Sequence, residues 1–244
     1  GIDPANAFAW ICPVVFDFPA VAQRIPFRGI IGDIIDDQRN FAMAESYRQR
    51  IIASYDATLP LFDLTFTNCA PVAEAFANLV GSITVVPNGA ELGERRQVAL
   101  PDRLAALPRP LAGYVGNLRD RIDWGLLEAA ARSLPEVSFA IVGGGAREGE
   151  TTALETLPNV TFTGPVPYET AMACMDAFDV ALVPHLRNAL TATMNPLKIY
   201  NYLAARKPVV STEIENVDPA LRAFISFASD AGGFAAAIRA ACRA

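Results

Sequence analysis

A lysine lies in the first turn of a helix that the sequence predicts after residue 195, within the stretch Leu190–Thr212. Asn195 is suited to cap that helix, Pro196 is suited to its first position, and apolar residues at helical spacing follow. The free backbone N–H groups and the positive dipole end of a helix start favour a bound anion. A phosphate there would offset the unfavourable placement of Lys198, which costs about 0.3–1 kcal/mol. The alternative is a surface lysine on an ordinary amphipathic helix.

Glycines and basic side chains follow other predicted strands. Gly116 and Asn117 end one apolar run, and Arg119 and Arg121 come just after them, within reach of a phosphate at the carboxyl edge of a sheet. The single histidine, His185, also follows a strand. A single histidine excludes metal sites with several histidine ligands, and it is the one candidate for the histidine of a catalytic triad. The plainer interpretations are arginines in a solvated loop and a histidine that makes a structural hydrogen bond.

Several familiar catalytic motifs are absent from the sequence. It has no G-x-S-x-G elbow, no G-x-x-x-x-G-K-[ST] loop and no Asp-x-Asp pair. The triple glycine at 143–145 lacks the G-x-G-x-x-G spacing and follows the second strand of its run, which disfavours NAD. Asp33, Asp36 and Asp37 could hold a divalent metal, but the polar end of a strand is the commoner explanation. We therefore predict no metal and no bound cofactor.

The composition is that of a globular protein with a sizeable core, because 52% of its 244 residues are hydrophobic and 19% are charged. The net charge of −6 argues against nucleic acid or an anionic membrane as the main partner. Widely spaced cysteines without a C-x-x-C pair favour a reducing compartment. No transmembrane segment or signal peptide is evident, so we expect a cytoplasmic protein and leave peripheral membrane contact open. The start at Gly1, without an initiator methionine, suggests a processed, tagged or excised piece.

The elements that would position these residues alternate between strands and helices, which predicts parallel α/β sheets. A first run ends near Val86, and a charged, proline-rich segment at 90–110 connects it to a second run. In the first run we predict strands at 8–16 (buried), 30–35 (interrupted by Gly32-Asp33), 64–67 and 83–86, and helices at 41–59 and 71–79. In the second run we predict strands at 111–115, 137–142, 160–163, 180–183, 209–212 and 224–227, and helices at 124–133, at 168–175, after Asn195 and from Phe234.

Three ordered blocks of the second run resemble the donor-binding domain of GT-B glycosyltransferases, in the broad retaining group often called family 4. The blocks are GYVGNLRDRIDWGLLEAAARSLPEVSFAIVGGG, LPNVTFTGPVPYETAMACMDAFDVALVPH and NPLKIYNYLAARKPVVST. VVPNGAE resembles the linker before that domain, and GIIGDIIDDQRNF resembles a strand late in the acceptor-binding domain. The resemblance implies a GT-B-like α/β fold with two Rossmann-like, doubly wound parallel-sheet domains, the first incomplete. Residues 1–108 would form the partial acceptor domain with its linker, and residues 109–244 the donor domain.

The resemblance also implies a function, which is transfer of a sugar from a nucleoside diphosphate sugar, UDP-linked, to a glycan, lipid-linked or small-molecule acceptor. The helix start and the loop before it would contact the diphosphate, and the backbone after the third strand would meet the base. No metal is needed, since the helix dipole and cations stabilise the leaving diphosphate. The donor-binding residues implied in this way are Gly116, Asn117, Arg121, Gly144, Gly164, Pro165, Val166, His185, Thr193, Met194, Asn195, Leu197, Lys198 and Asn201, and no catalytic residue is assigned.

The sequence departs from the family pattern at three positions. Thr193 and Asn201 stand where the family usually has two glutamates, so the ribose contact would lack charge assistance. Arg206 stands where the helix usually ends in glycine. The departures keep a second interpretation open, a non-catalytic nucleotide-sugar-binding or partner-binding remnant. A nucleotide-sugar epimerase on the same fold is disfavoured, because no paired carboxylate and histidine set is found.

Overall fold

The structure, a computed structural model, describes residues 3–12, 15–93 and 98–243. Contacts between residues divide it into two compact units, Gly1–Asn88 with Ala192–Asn195, and Gly89–Thr191 with Pro196–Ala244. Each unit contains one sheet of parallel strands with helices, so the predicted α/β class is confirmed. Within the described residues, no helix has the length and apolar character needed to cross a bilayer.

The first unit is built on a four-stranded parallel sheet whose strands lie in sequence order. Helices on the sheet bury a small core that includes Ile34, Ile51, Tyr55, Val72 and Phe76. The strands are β1 (Phe8–Ile11), β2 (Gly29–Ile34), β3 (Leu64–Thr67) and β4 (Ile83–Val85), and the helices are α1 (Phe18–Arg24), α2 (Glu45–Thr58) and α3 (Ala70–Phe76), with 3-10 turns at Pro4–Asn6, Gln38–Asn40 and Leu59–Leu61.

Two predictions for this sheet are wrong. The buried strand predicted at 8–16 ends at Ile11, and its side chains Phe8 and Trp10 are 58% and 60% exposed. Residues 13–14 of that prediction lie outside the described residues. The expected interruption at Gly32 does not occur, and β2 is continuous there. The glycine is needed for packing, since a Cβ would stand 2.0 Å from the ring of Phe62.

The three aspartates near the end of β2 have protein partners. The Trp10 indole N–H donates to Asp33 over 3.4 Å, and Arg39 makes two contacts of 2.8 Å with the carboxylate of Asp37. In the part of the chain that the structure describes, no three His, Cys, Asp or Glu side chains are grouped closely enough to hold an ion. Metal independence stays a prediction.

The second unit is built on a six-stranded parallel sheet in the order β7-β6-β5-β8-β9-β10, which is the doubly wound order 3-2-1-4-5-6. Its strands are β5 (Leu111–Val115), β6 (Ser138–Val142), β7 (Val160–Gly164), β8 (Val180–Val183), β9 (Val209–Thr212) and β10 (Ile225–Ala228), and its helices are α4 (Asp102–Ala105), α5 (Trp124–Ser133), α6 (Thr152–Glu155), α7 (Tyr168–Ala177), α8 (Ala189–Ala192), α9 (Leu197–Ala204), α10 (Pro219–Arg222) and α11 (Ala231–Ala241). The strands and helices predicted here are present, with ends shifted by up to three residues.

Both faces of this sheet are covered, which explains the continuous apolar runs of its strands. Along β5, Ala112 and Tyr114 face the core beneath α5 and α11, whereas Leu111 and Val115 face the core beneath α7 and α9. Residues 98–110 of the connecting segment pack with this unit, since Leu104 of α4 lies in the second of these cores at 2% exposure. Contacts group these residues with the second unit, whereas the boundary between residues 108 and 109 stays a prediction from the sequence.

Helix α9 begins one residue later than predicted. Pro196 occupies the N-cap position and Leu197 is the first helical residue, so the predicted cap by Asn195 is wrong. The side-chain oxygen of Asn195 instead accepts the backbone N–H of Asn88 over 3.3 Å, within the first unit. Since proline has no side-chain oxygen, the N-cap residue itself makes no capping hydrogen bond to this helix start.

The end of α9 has the backbone of a glycine-terminated helix but carries an arginine. The Lys207 N–H donates to the Tyr202 carbonyl over 3.0 Å and the Arg206 N–H to the Leu203 carbonyl over 2.9 Å, which is the Schellman pattern. Arg206 has a φ of 56°, so the substitution noted in the sequence places a side chain in the left-handed region.

We expect Arg206→Gly to raise the free energy of unfolding of the second unit by about 1 kcal/mol, because glycine adopts the left-handed region without steric cost. Urea denaturation would measure the change. Arg206→Ala is the matched control, since it removes the same exposed side chain but keeps the Cβ, and it should give no gain. Equal stability of the two variants would contradict the assignment of strain to this position.

Candidate functional site

The candidate site lies at the carboxyl ends of β5 and β8, the two central strands of the second sheet. The chain continues from β5 to β6 on one side of this pair and from β8 to β9 on the other side. Ligands of doubly wound folds bind in the crevice between two such loops, at the switch point of the sheet. Gly116 directly follows β5, and Pro184 and His185 directly follow β8. The strand order therefore brings two of the predicted residues to one edge.

The loops after these two strands are joined by backbone hydrogen bonds. The Asp123 N–H donates to the Pro184 carbonyl and the Leu186 N–H donates to the Arg121 carbonyl, each over 2.8 Å, around a bridge between Ile122 and His185. This pairing places the backbones of Arg121 and His185 side by side.

Lys198, in the first turn of α9, lies against these loops. Its Nζ is 3.5 Å from Nε2 of His185 and 5.0 Å from the ring centre of Tyr114. A Cβ at Gly116 would stand 3.5 Å from the lysine Cε, so glycine leaves the lysine in contact with the β5 backbone. The helix is tied to the strand by the Val115 N–H, which donates to the hydroxyl of Tyr202 over 2.9 Å.

The electrostatics of the site favour an anion. Burial, and then the neighbouring Arg121 guanidinium, lowers the pKa of Lys198 to about 7. Burial, followed by Lys198 and Arg121, holds the pKa of His185 well below its usual range. Arg121 Nε and His185 Nδ1 are buried without a hydrogen-bond partner among the described residues. Buried polar groups are normally paired, so a ligand that supplies acceptors and negative charge would complete this site.

Glycines allow the backbones of β5 and β6 to approach closely beside the lysine. Gly143 has a φ of 141°, and a Cβ on it would stand 1.9 Å from the Gly116 carbonyl oxygen. The Gly116 N–H donates to the Val142 carbonyl over 2.9 Å, and the Gly143 N–H donates to the Gly164 carbonyl over 3.1 Å. Only glycine fits at 143, so the triple glycine has a packing reason in addition to any ligand contact.

A cavity of about 480 Å3 opens next to these glycines. Its lining includes Gly144, Phe162, Gly164 and Pro165, and the Leu118 N–H donates to the Gly144 carbonyl over 3.0 Å at its edge. The volume falls within the range of small-molecule pockets, and Gly143, which packs on Gly116, forms part of the lining.

The structure brings together most of the predicted site residues, and their roles in binding stay predictions. Those at the carboxyl edge of the second sheet, in the loops that follow its strands or at the start of α9, are Gly116, Asn117, Arg121, Gly144, Gly164, Pro165, Val166, His185, Leu197 and Lys198. Asn201 is partly buried one turn further along α9. Thr193, Met194 and Asn195 belong to the first compact unit, where the Cys69 thiol lies 3.3 Å from the Thr193 carbonyl.

Sequence reasoning missed two tyrosines of this site. The Tyr114 ring lies beside Lys198 and its hydroxyl donates to the Asn117 carbonyl over 3.0 Å, while Tyr202 anchors α9 to β5. Both are fully buried. A tyrosine in an apolar run was the available signal, because a buried hydroxyl requires a hydrogen-bond partner.

Comparison with known proteins identifies the family. The family model described as glycosyl transferases group 1 matches residues 109–243, more than half of the chain. The putative teichuronic acid biosynthesis glycosyltransferase TuaH of Bacillus subtilis (strain 168) is 29% identical over 129 residues. That match covers 51% of this chain and 32% of TuaH, so the chain spans about a third of that relative's length.

Solved structures share the fold over nearly the whole chain. Anabaena Alr3699/HepE, solved in complex with UDP-glucose, superposes with a TM-score of 0.69 at 15% identity and covers 96% of this chain and 68% of its own. TarM of S. aureus, solved as a mutant with UDP among its ligands, superposes with a TM-score of 0.67 at 12% identity and covers 100% and 50%. At these identities the likeness shows a GT-B fold and nothing finer. The two-sheet architecture, the doubly wound order and the match over residues 109–243 together show that this chain belongs to the glycosyl transferases group 1 family.

Proposed function

We propose that the protein is a glycosyltransferase that moves a sugar from a nucleoside diphosphate sugar, UDP-linked, to an acceptor. The observation that carries the proposal is the cluster of Lys198, Arg121 and His185 at the switch point of the second sheet, with two buried nitrogens that have no partner among the described residues. The family assignment and the UDP-containing structures of HepE and TarM support it.

The geometry suits the departure of a nucleoside diphosphate. When the bond between the anomeric carbon and the diphosphate oxygen breaks, negative charge grows on that diphosphate. Lys198 and Arg121 can neutralise this charge, and the start of α9, whose N-cap proline makes no capping bond, can donate backbone N–H groups to it. Gly116 permits close approach of the backbone, and the adjacent cavity has room for the nucleoside.

Asn201 is proposed to contact the ribose in place of the usual carboxylate. A neutral amide can still accept a hydrogen bond from a hydroxyl, with a contribution of about 0.5–1.5 kcal/mol against about 1.5–3 kcal/mol for a charged acceptor. The weaker contact would lower donor affinity by several-fold without abolishing it. No residue is proposed as a general base.

Calorimetric titration with UDP, GDP and ADP tests the binding half of the proposal. We expect saturable binding of one nucleotide per chain, with UDP favoured. Transfer of radiolabelled sugar from the corresponding nucleotide sugar tests the chemistry, and nucleotide release without an acceptor would indicate hydrolysis or epimerisation instead. Absence of saturable binding by all three nucleotides would overturn the proposal.

We also expect metal-independent binding, because the proposed site neutralises the diphosphate with cationic side chains and a helix start. EDTA added to the titration should leave the affinity for UDP within about twofold, and added magnesium should not raise it further. If EDTA abolishes binding and magnesium restores it, the expectation is wrong, and Asp33, Asp36 and Asp37 would be the ligands to test.

A further inference from the structure

Burial and a neighbouring guanidinium disfavour the positive charge of Lys198. Arg121 contributes a guanidinium from the loop after β5, and the imidazole of His185, 1% exposed, comes from the loop after β8. Tyr114 of β5 presents its ring face to the ammonium, and burial raises the pKa of this tyrosine, so its phenol stays neutral. The contact with the ring face favours the ammonium, but no carboxylate among the described residues offsets the cost of its charge.

The acidic residues nearest in sequence to Arg121 are engaged elsewhere. Asp120 forms an ion pair of 2.5 Å with Arg147, and Asp123 caps α5 by accepting the Leu126 N–H over 2.9 Å. On the loop after β8, the charged neighbour of His185 is Arg187, which is exposed and cationic. A proton on Lys198 is therefore costly until a ligand brings negative charge.

Hydrogen bonds to Thr212 fix the backbone of His185, and the His185 ring contacts the Lys198 ammonium. Its backbone N–H donates to the Thr212 hydroxyl over 3.1 Å, and that hydroxyl donates to the His185 carbonyl over 2.7 Å. Burial keeps the imidazole neutral, so Nε2 can accept a hydrogen bond from the Lys198 Nζ when Nδ1 carries the ring hydrogen. The lysine Nζ is then held 3.7 Å from the position that a Cβ would occupy at Gly116, beside the β5 backbone.

We propose that binding of a nucleotide sugar is coupled to the uptake of a proton by Lys198, and that His185 is the positioning residue that holds this lysine for the diphosphate. The inference rests on the proposed function and adds a pH dependence to it. Below about pH 7 the free lysine is already charged, so affinity is maximal. Above that pH each ligand must bring a proton with it, so affinity falls about tenfold per pH unit until the raised pKa of the complex is reached.

The test is a calorimetric titration of UDP-glucose from about pH 6 to about pH 9, in buffers of different ionisation heat. A nucleotide sugar lacks the terminal phosphate whose second pKa of about 6 would confuse the profile of UDP. We expect the tenfold decline per unit above about pH 7 and a net uptake of protons on binding. GDP-glucose and ADP-glucose are run at about pH 6 in case the base differs.

Two variants locate the titrating group. Lys198→Arg keeps a charge that does not titrate below about pH 12, so its affinity should be independent of pH. His185→Ala should weaken binding and move the decline to higher pH, because water entering the vacated space would stabilise the ammonium. A purely structural role for the histidine would alter stability without moving this midpoint.

The outcomes separate the inference from the function that it rests on. A wild-type affinity that is constant across the range, or the same slope in Lys198→Arg, would overturn the inference and leave the proposed function intact. Failure of all three nucleotide sugars to bind at about pH 6 would overturn the proposed function itself.

Discussion

Gly143→Ala is expected to destabilise the second unit by about 2–6 kcal/mol. The added Cβ would stand 1.9 Å from the Gly116 carbonyl oxygen, which is backbone and cannot rotate away. The estimate combines an overpacking cost of about 1–3 kcal/mol with a strain of about 1–3 kcal/mol for a side chain at a φ of 141°. Urea denaturation followed by circular dichroism would measure it.

Gly149→Ala is the matched control for this substitution. Gly149 also has a positive φ, 85°, but a Cβ on it would meet nothing within 4 Å. The control therefore includes the backbone strain of a positive φ but no steric overlap of the added Cβ, and it should lower the free energy of unfolding by about 1–3 kcal/mol. If the two variants lost equal stability, the close approach of β5 and β6 at Gly143 would be contradicted.

Lys198→Met should weaken nucleotide binding at about pH 6 by about 10- to 150-fold. The change removes a charge-assisted hydrogen bond to the diphosphate, which contributes about 1.5–3 kcal/mol. Because the substitution also removes an ammonium beside Arg121, the variant should be at least as stable as the wild type, so lost binding would not reflect unfolding. Calorimetry and urea denaturation on the same sample would measure both quantities.

The chain offers a matched control, since Lys207 is its one other lysine. It lies just beyond the opposite end of α9, so Lys207→Met makes the same change of charge away from the proposed diphosphate. We expect its affinity to stay within about twofold of the wild type. Equal loss in both variants would show that net charge, rather than a direct contact by Lys198, determines binding.

The elements of the second unit could be predicted because their sequence signals are local. The strands at 111–115 and 180–183 are continuous apolar runs next to a glycine or a proline, as expected for a sheet buried on both faces. The first unit was harder. The run after Phe8 is apolar, but its strand is exposed and short, and α1, with Pro19 in its first turn, begins at Phe18, where no helix was predicted.

The arrangement of the site could be predicted only in part. Some residues could be found from local signals: Gly116 follows a predicted strand, and Lys198 lies in the first turn of a predicted helix. The contact between Lys198 and His185 depends on β8 pairing with β5 rather than with β7, and periodicity along the chain does not encode that order. The contacts of Tyr114 with Lys198 and of Tyr202 with the β5 backbone also depend on the tertiary fold, which is why sequence reasoning did not find them.

The most direct test of the account is hydrogen–deuterium exchange measured with and without saturating UDP, because it locates the nucleotide on the chain. We predict slowed exchange at 116–121, at 143–145, at 164–166 and at the start of α9, all in the second unit. Slowed exchange confined to the first unit, for example at residues 33–37 around the end of β2, would contradict the claim that the nucleotide binds at the switch point of the second sheet.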